Sequence, residues 1–173
     1  GMSSSLFVTA RFRVSDNFRF VGELPISHFG FESNNPVGDD NSTVIGNVYV
    51  GGIWDVNTAN PTNHAYIELG VRIPTTPQPN VNNRFGGTTG LLAEVSDRME
   101  AYMWDTWAIP VVGNFVTTVN KPFAVKGRLG TVYDIFTDDL KNSDNSLWLL
   151  YGVTALYQAS TLEGHLGFSG RNQ

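Results

Sequence analysis

Glu94, Asp97, Glu100 and Asp105 lie close together in the chain beside Trp104 and Trp107, and Glu68 follows Tyr66 by two residues. Two carboxylates a few ångströms apart suffice for glycoside hydrolysis, one as acid and the other as base or nucleophile. Aromatic rings beside them would stack on sugar faces. The spacing selects no particular pair, so a glycan-acting hydrolase is the third reading of this chain. A binding surface needs less. Arg98, Glu100, Tyr102 and Trp104 share parity, so in an extended chain they lie on one face, which is expected to be exposed. With Trp107, Tyr66 and Glu68 they make the best candidate ligand-binding residues.

Oxygen ligands are a second kind of signal. Asp138, Asp139, Asp144 and Asn145 cluster in one loop, and Asp39, Asp40 and Asn41 in another. Calcium takes several oxygens from a flexible loop, so the first group is a candidate calcium site. Neither loop matches the D-x-[DN]-x-[DN]-G pattern, and Asx turns bonded to their own backbone are the plainer account. His28, His64 and His165 are isolated, without HxH or HExxH spacing. There is no GxSxG nucleophile elbow. Gly86-Gly87-Thr88-Thr89-Gly90 lacks the lysine of a phosphate loop and reads as a flexible hairpin loop.

The elements that would carry these residues repeat with a period of two. Leu6, Val8, Ala10, Phe12 and Val14 alternate with Thr9, Arg11 and Arg13. From His64 to Ile73, Ala65, Ile67, Leu69, Val71 and Ile73 form one face, and His64, Tyr66, Glu68, Gly70 and Arg72 the other. This is the pattern of a half-buried antiparallel strand, one face on a core and one in solvent. Further runs rich in β-branched and aromatic residues are Phe18–Val21, His28–Phe31, Thr43–Trp54, Met99–Ile109, Phe115–Val119, Phe123–Leu129, Thr131–Phe136 and Leu147–Tyr157. Leu147–Tyr157 is apolar on both faces, as in a central strand or one covered by a partner subunit. Pro74 to Asn83 holds three prolines and reads as a long exposed loop. The best helix candidate is Leu91–Met99. The expectation is an all-β fold, an antiparallel β-sandwich or jelly roll of about nine to eleven strands, with one short helix near residues 91–99. One β domain spans residues 6–173, behind a loose N-terminus of residues 1–5 in which Gly1 reads as a tag scar before Met2.

Composition sets limits. The chain has 173 residues, no cysteine, and 16 acidic against 11 basic side chains. Disulfides and thiolate chemistry are therefore excluded. A net charge of -5 argues against a nucleic-acid partner. No run approaches about 18 apolar residues, so no helical membrane span is expected, and no secretory signal is visible after Met2. At this mass a folded surface of roughly 8,400 Å² is expected, with about 70% of the extended surface buried. Charged residues make up only 16%, with lysine at Lys121, Lys126 and Lys141 alone. Thin charge on strands with an Asn- and Thr-rich surface suits burial against copies of the same chain. The leading expectation is a non-enzymatic structural protein, a self-associating component of a virus or phage particle of capsid, tail or fibre type. The resemblance to viral jelly rolls is one of composition and not of motif. A carbohydrate-binding, lectin-like sandwich with a glycan partner is the alternative. Localisation stays open, the virion following only from the leading reading. No cofactor other than calcium is suggested.

Overall fold

The computed structural model describes residues 2–31, 40–56, 60, 62–78, 84–93, 98–137, 145–158 and 163–173. Nearly all of them are antiparallel β, as the alternation predicts. Among the described residues there are nine strands: β1 (Met2–Arg13), β2 (Phe18–Phe31), β3 (Asp40–Ile45), β4 (Val48–Val56), β5 (Asn63–Ile73), β6 (Thr106–Asn120), β7 (Phe123–Phe136), β8 (Ser146–Gln158) and β9 (Glu163–Asn172). They form one sheet in the order β1-β2-β4-β5-β6-β7-β8-β9. β3 and β4 both pair with the same edge of β2, at Ile26–Phe31 and Phe18–Glu23 respectively. Gly46 and Asn47 lie between them, so the run Thr43–Trp54 is broken there. β1 begins at Met2 and pairs with β2 along its whole length.

The register is a continuous set of rows. Arg13, the last residue of β1, shares a row with Arg19, Ile53, Glu68, Val112, Gly130, Leu150 and Arg171. That row meets β6 and β8 eight residues before their ends at Asn120 and Gln158. Strands staggered in this way run obliquely to the axis about which the sheet curls. The curl brings distant strands together. Arg72 of β5 and Arg171 of β9 both reach Glu100, at 3.6 and 2.9 Å. Phe7 of β1 packs edge-on to Tyr102, with ring centroids 6.2 Å apart. The first and last strands thus flank the same short segment.

That segment is the 3-10 turn Met99–Ala101, where the sequence suggests the start of a strand Met99–Ile109. The strand begins only at Thr106, because Asp105 holds a left-handed backbone with φ of 51° that no strand continues through. The helix α1 spans Arg84–Ala93 and overlaps the candidate Leu91–Met99 at residues 91–93, beyond which residues 94–97 lie outside the described residues. It contains the glycine run that reads as a hairpin loop. Two of its glycines are a packing requirement: a Cβ at Gly90 would lie 2.7 Å from the Tyr102 ring, and one at Gly86 would lie 2.8 Å from Ser42 Oγ, whereas Gly87 faces open space.

The two faces of the sheet are reversed from the ordinary pattern. The apolar row of β5 points outward, with Ile67 47% and Leu69 54% exposed, while Arg72 on the polar row is 3% exposed. The same holds along the sheet: Leu6, Val8, Phe20, Val50, Trp54, Val111, Phe115, Leu129, Leu149, Val153 and Phe168 are all exposed. The interior holds two small apolar clusters, Ala108–Val112–Val132–Leu150 and Val21–Tyr49–Ile53. The accessible surface is accordingly 10,774 Å², above the roughly 8,400 Å² of the scaling law. Leu147–Tyr157 illustrates the division: Trp148 and Leu150 point in, whereas Leu147, Leu149, Tyr151 and Val153 point out.

Candidate functional site

The inner face of the curled sheet surrounds a polar cavity of about 220 Å³. It is lined from several strands at once, by Thr9 and Arg11 of β1, Glu23 of β2, Tyr49 of β4, Tyr66, Glu68 and Arg72 of β5, and Lys126 and Arg128 of β7. Arg98 and Glu100 close it from the 3-10 segment.

Each inner side chain is placed by strand parity, and the charges are placed by one another. Glu23 accepts hydrogen bonds from Arg72 Nη2 at 2.7 Å and from Arg98 Nη1 at 2.8 Å. Glu100 accepts one from Arg171 Nη1 at 2.9 Å and lies 3.6 Å from Arg72 Nε. The chain Arg98–Glu23–Arg72–Glu100–Arg171 therefore alternates in sign. It ends near Asp134, whose carboxylate lies 3.9 Å from Arg171 Nη2. Side chains of Arg72, Glu100 and Arg171 are at most 5% exposed, so these charges depend on one another and not on water. Arginine planes also rest on rings: Arg72 over Tyr49 at 5.3 Å, Arg98 over Phe7 at 4.1 Å and Arg171 over Trp148 at 4.5 Å. Gly51 and Gly70 stand where a Cβ would collide with the Tyr49 ring, so the phenol lies across the sheet only because both are glycine.

Two groups titrate abnormally. Burial raises the Asp134 carboxyl to about 7; the negative charge of Glu100 adds to the rise and Arg171 opposes it. Burial, then the charge of Glu68, pushes the Tyr49 phenol far above its ordinary range, so it is neutral at any physiological pH. The carboxylates of Glu23 and Glu100 each sit against two arginines.

The candidate ligand residues divide. Arg98, Glu100, Tyr66 and Glu68 come together on the cavity. Tyr102 is fully buried, its hydroxyl 2.8 Å from Ser5 Oγ. The face expected to be exposed is therefore interior at Glu100 and Tyr102, because the 3-10 segment folds inward between β1 and β9. Trp104 lies in the turn before β6, where its carbonyl accepts from Thr106 Oγ1 at 3.0 Å. Trp107 faces outward at 38% exposure, away from the cavity. Of the candidate calcium ligands, Asp138, Asp139 and Asp144 lie outside the described residues, as does Asp39; Asn145 Nδ2 donates to Tyr133 Oη at 3.1 Å. Among the described residues no group of three His, Asp or Glu side chains is placed to hold a metal.

Sequence reasoning missed Asn47. It is fully buried between β3 and β4, and its side chain joins three segments. Nδ2 donates to the carbonyls of Glu100 at 2.9 Å and Met103 at 2.6 Å, and Oδ1 accepts from the amides of Thr75 and Thr76, both at 2.9 Å. Its amide donates to Ala101 O at 2.6 Å. An Asn in a Gly-Asn pair between β-rich runs signals only a turn. The bonds also fasten Pro74–Gln78 to the sheet, so Thr76 is buried within the stretch expected to be an exposed loop.

The outer face carries a shallow apolar hollow of about 660 Å³, where Gly113 and Gly127 leave space between Ile67, Phe115, Leu129 and Val153. No protein-family model, no curated protein and no solved structure matches this chain.

Proposed function

We propose that these strands form the wall of a membrane-spanning β-barrel, with the apolar face against lipid and the arginine–carboxylate cavity inside. One observation carries this reading: outward side chains are apolar on every long strand of the sheet, while Glu23, Arg72, Glu100 and Arg171 are turned inward and paired. A sheet in water has the opposite sidedness, and strands crossing a bilayer alternate apolar-out and polar-in. More than twenty large apolar side chains are exposed, at 36–81%. At about 1 kcal/mol for the exposed half of each, the burial left unused in water is on the order of 20 kcal/mol, more than the net stability of an ordinary domain.

Dimensions and end-groups agree. A bilayer needs about 9–11 residues of tilted strand; the eight strands in sheet order have 9 to 15. Several outward aromatics lie near strand ends, where interfacial girdles place them, although Phe115, Tyr151 and Phe168 are mid-strand. Phe18 packs on Trp54 with centroids 4.7 Å apart and Phe123 on Tyr157 at 5.1 Å, while Trp107 and Tyr133 lie toward the opposite ends of β6 and β7. No helix among the described residues is long and apolar enough to cross a membrane; strands cross by satisfying their backbone bonds sideways.

The second reading is self-association of the sheet, as in a particle subunit, which the same exposed rows support. It is disfavoured by their distribution over all strands of a curled sheet, since a contact between copies needs a patch on one side. Flotation separates the two. The chain refolded with phosphatidylcholine vesicles is expected to float with them through a density gradient and to resist a carbonate wash. A discrete, detergent-free oligomer that stays at the bottom would overturn the membrane reading in favour of self-association.

A further inference from the structure

We propose that the inner face of β7, β8 and β9 holds a binding site for a phosphate-bearing anion, a phosphate monoester or phosphate itself. A cavity of about 320 Å³ lies there, bordered by Lys126, Arg128, Thr154, Ser169, Gly152 and Gly167. The register explains the arrangement. Lys126, Thr154 and Gly167 occupy one inward row, and Arg128, Gly152 and Ser169 the next. Neighbours in a row are about 5 Å apart, and rows about 7 Å, so the donors surround a space the size of a phosphate group. Each row offers one cation and one hydroxyl, and each has one glycine. The glycine in the second row leaves that space open, and Gly167 admits Thr154, whose Oγ1 would lie 2.6 Å from any Cβ there.

Chemistry selects phosphate over carboxylate. An ammonium, a guanidinium fork and two hydroxyls supply more donors than a planar two-oxygen anion can accept, but suit three or four phosphate oxygens. The Lys126 ammonium supplies positive charge toward the charge of about -1.5 to -2 on a phosphate monoester at neutral pH. Among the described residues no carboxylate borders this cavity. The adjoining one is different: it shares Lys126 and Arg128 but also contains Glu23, Glu68 and Glu100. Lys126 Nζ is 5.8 Å from the centre of the Tyr66 ring, a contact that steadies the ammonium while leaving its N–H donors available. The inference needs only the inward rows and does not rest on what covers the outer face.

The test is calorimetric titration of the full chain in detergent micelles with inorganic phosphate, glycerol phosphate and acetate at fixed ionic strength. Saturable binding of both phosphates is expected, with acetate at least tenfold weaker. Lys126→Met should weaken phosphate binding tenfold or more, and Lys126→Arg should stay within threefold of the parent. Arg13→Met, which removes a cation outside the cavity, should change nothing. Thr154→Val with Ser169→Ala keeps every charge and should weaken binding at least threefold; it carries the test if Lys126→Met fails to fold. No saturable binding, equal binding of acetate, or undiminished affinity in these site variants would overturn the proposal.

Discussion

Arg171 on the last strand donates to Glu100 in the 3-10 segment at 2.9 Å, with both side chains nearly inaccessible. The pair ties the edge of the sheet to the segment that fills its interior, and Glu100 is shared with Arg72. Glu100→Gln keeps the shape but leaves two buried guanidiniums facing one fewer negative charge. The expected loss is about 3–5 kcal/mol, the cost of breaking a buried ion pair from one side. Denaturant unfolding in micelles measures it. In the double variant with Arg171→Met the loss should be clearly less than the sum of the singles; strict additivity would mean that the two residues do not interact.

Asp134 gives the network a pH dependence of definite sign. Its folded value of about 7 stands above the ordinary 3.8. Between those values the native protein holds a proton that the unfolded chain releases. This group's contribution to stability therefore falls as pH rises from about 4 to about 7, then levels off. Asp134→Asn removes the titration. Relative to the parent, the variant should gain stability between pH 5 and pH 8, measured as a difference in midpoint denaturant. A difference that does not change with pH would show that Asp134 is not protonated in the native state.

The alternation on which that network hangs was readable in the chain; its direction was not. In His64–Ile73 the two faces are assigned to the correct residues by parity alone, and most of the strands follow from the same alternation, but β9 (Glu163–Asn172), rich in glycine and polar residues, does not. A period of two is unchanged when the core and the exterior are exchanged, so it cannot say which face is inside. The discriminating signal was the charge on the polar rows: Glu23, Glu68, Arg72 and Arg128 are paired types at mid-strand, and lysine is scarce. Arg98, Glu100, Tyr66 and Glu68 could be proposed as a group, but not as an interior one, because the 3-10 segment is held by contacts to β1 and β9 far away in sequence. The helix over Arg84–Ala93 was hidden by its glycines, of which Gly90 and Gly86 make room for Tyr102 and Ser42.

Asn47 is the position where a small change should cost most. Replacement by Ala removes four hydrogen bonds and leaves two carbonyls and the Thr76 amide short of partners in a buried site, while the Thr75 amide keeps the Ile73 carbonyl at 2.8 Å. At about 1 kcal/mol for each lost bond, the loss is about 2–4 kcal/mol. Asn47→Asp should be at least as damaging, because its acceptor-only oxygens would face the carbonyls of Glu100 and Met103. Hydrogen exchange at the Thr75 and Thr76 amides reports the release locally. Unchanged protection in Asn47→Ala would show that other contacts hold the segment.

The outer rows permit a test with a spatial signature. Leu129 sits in the middle of β7 and is 61% exposed; Val119 lies next to the end of β6 and is 65% exposed. In water the two are equivalent surface positions, and an arginine at either should be nearly neutral or stabilising. Against a bilayer they differ, because the cost of arginine is about 2–4 kcal/mol at the midplane and about 0–1 kcal/mol near the interface. Leu129→Arg should therefore reduce folding into vesicles by roughly thirtyfold or more, whereas Val119→Arg should reduce it by no more than about fivefold. Thicker bilayers should narrow the gap, since they place Val119 deeper and raise its cost toward that of Leu129. A contact between copies of the sheet has no such depth axis: there the cost would follow the position of the interface and ignore the lipid. Equal penalties at the two positions, or penalties independent of bilayer thickness, would assign the apolar rows to self-association.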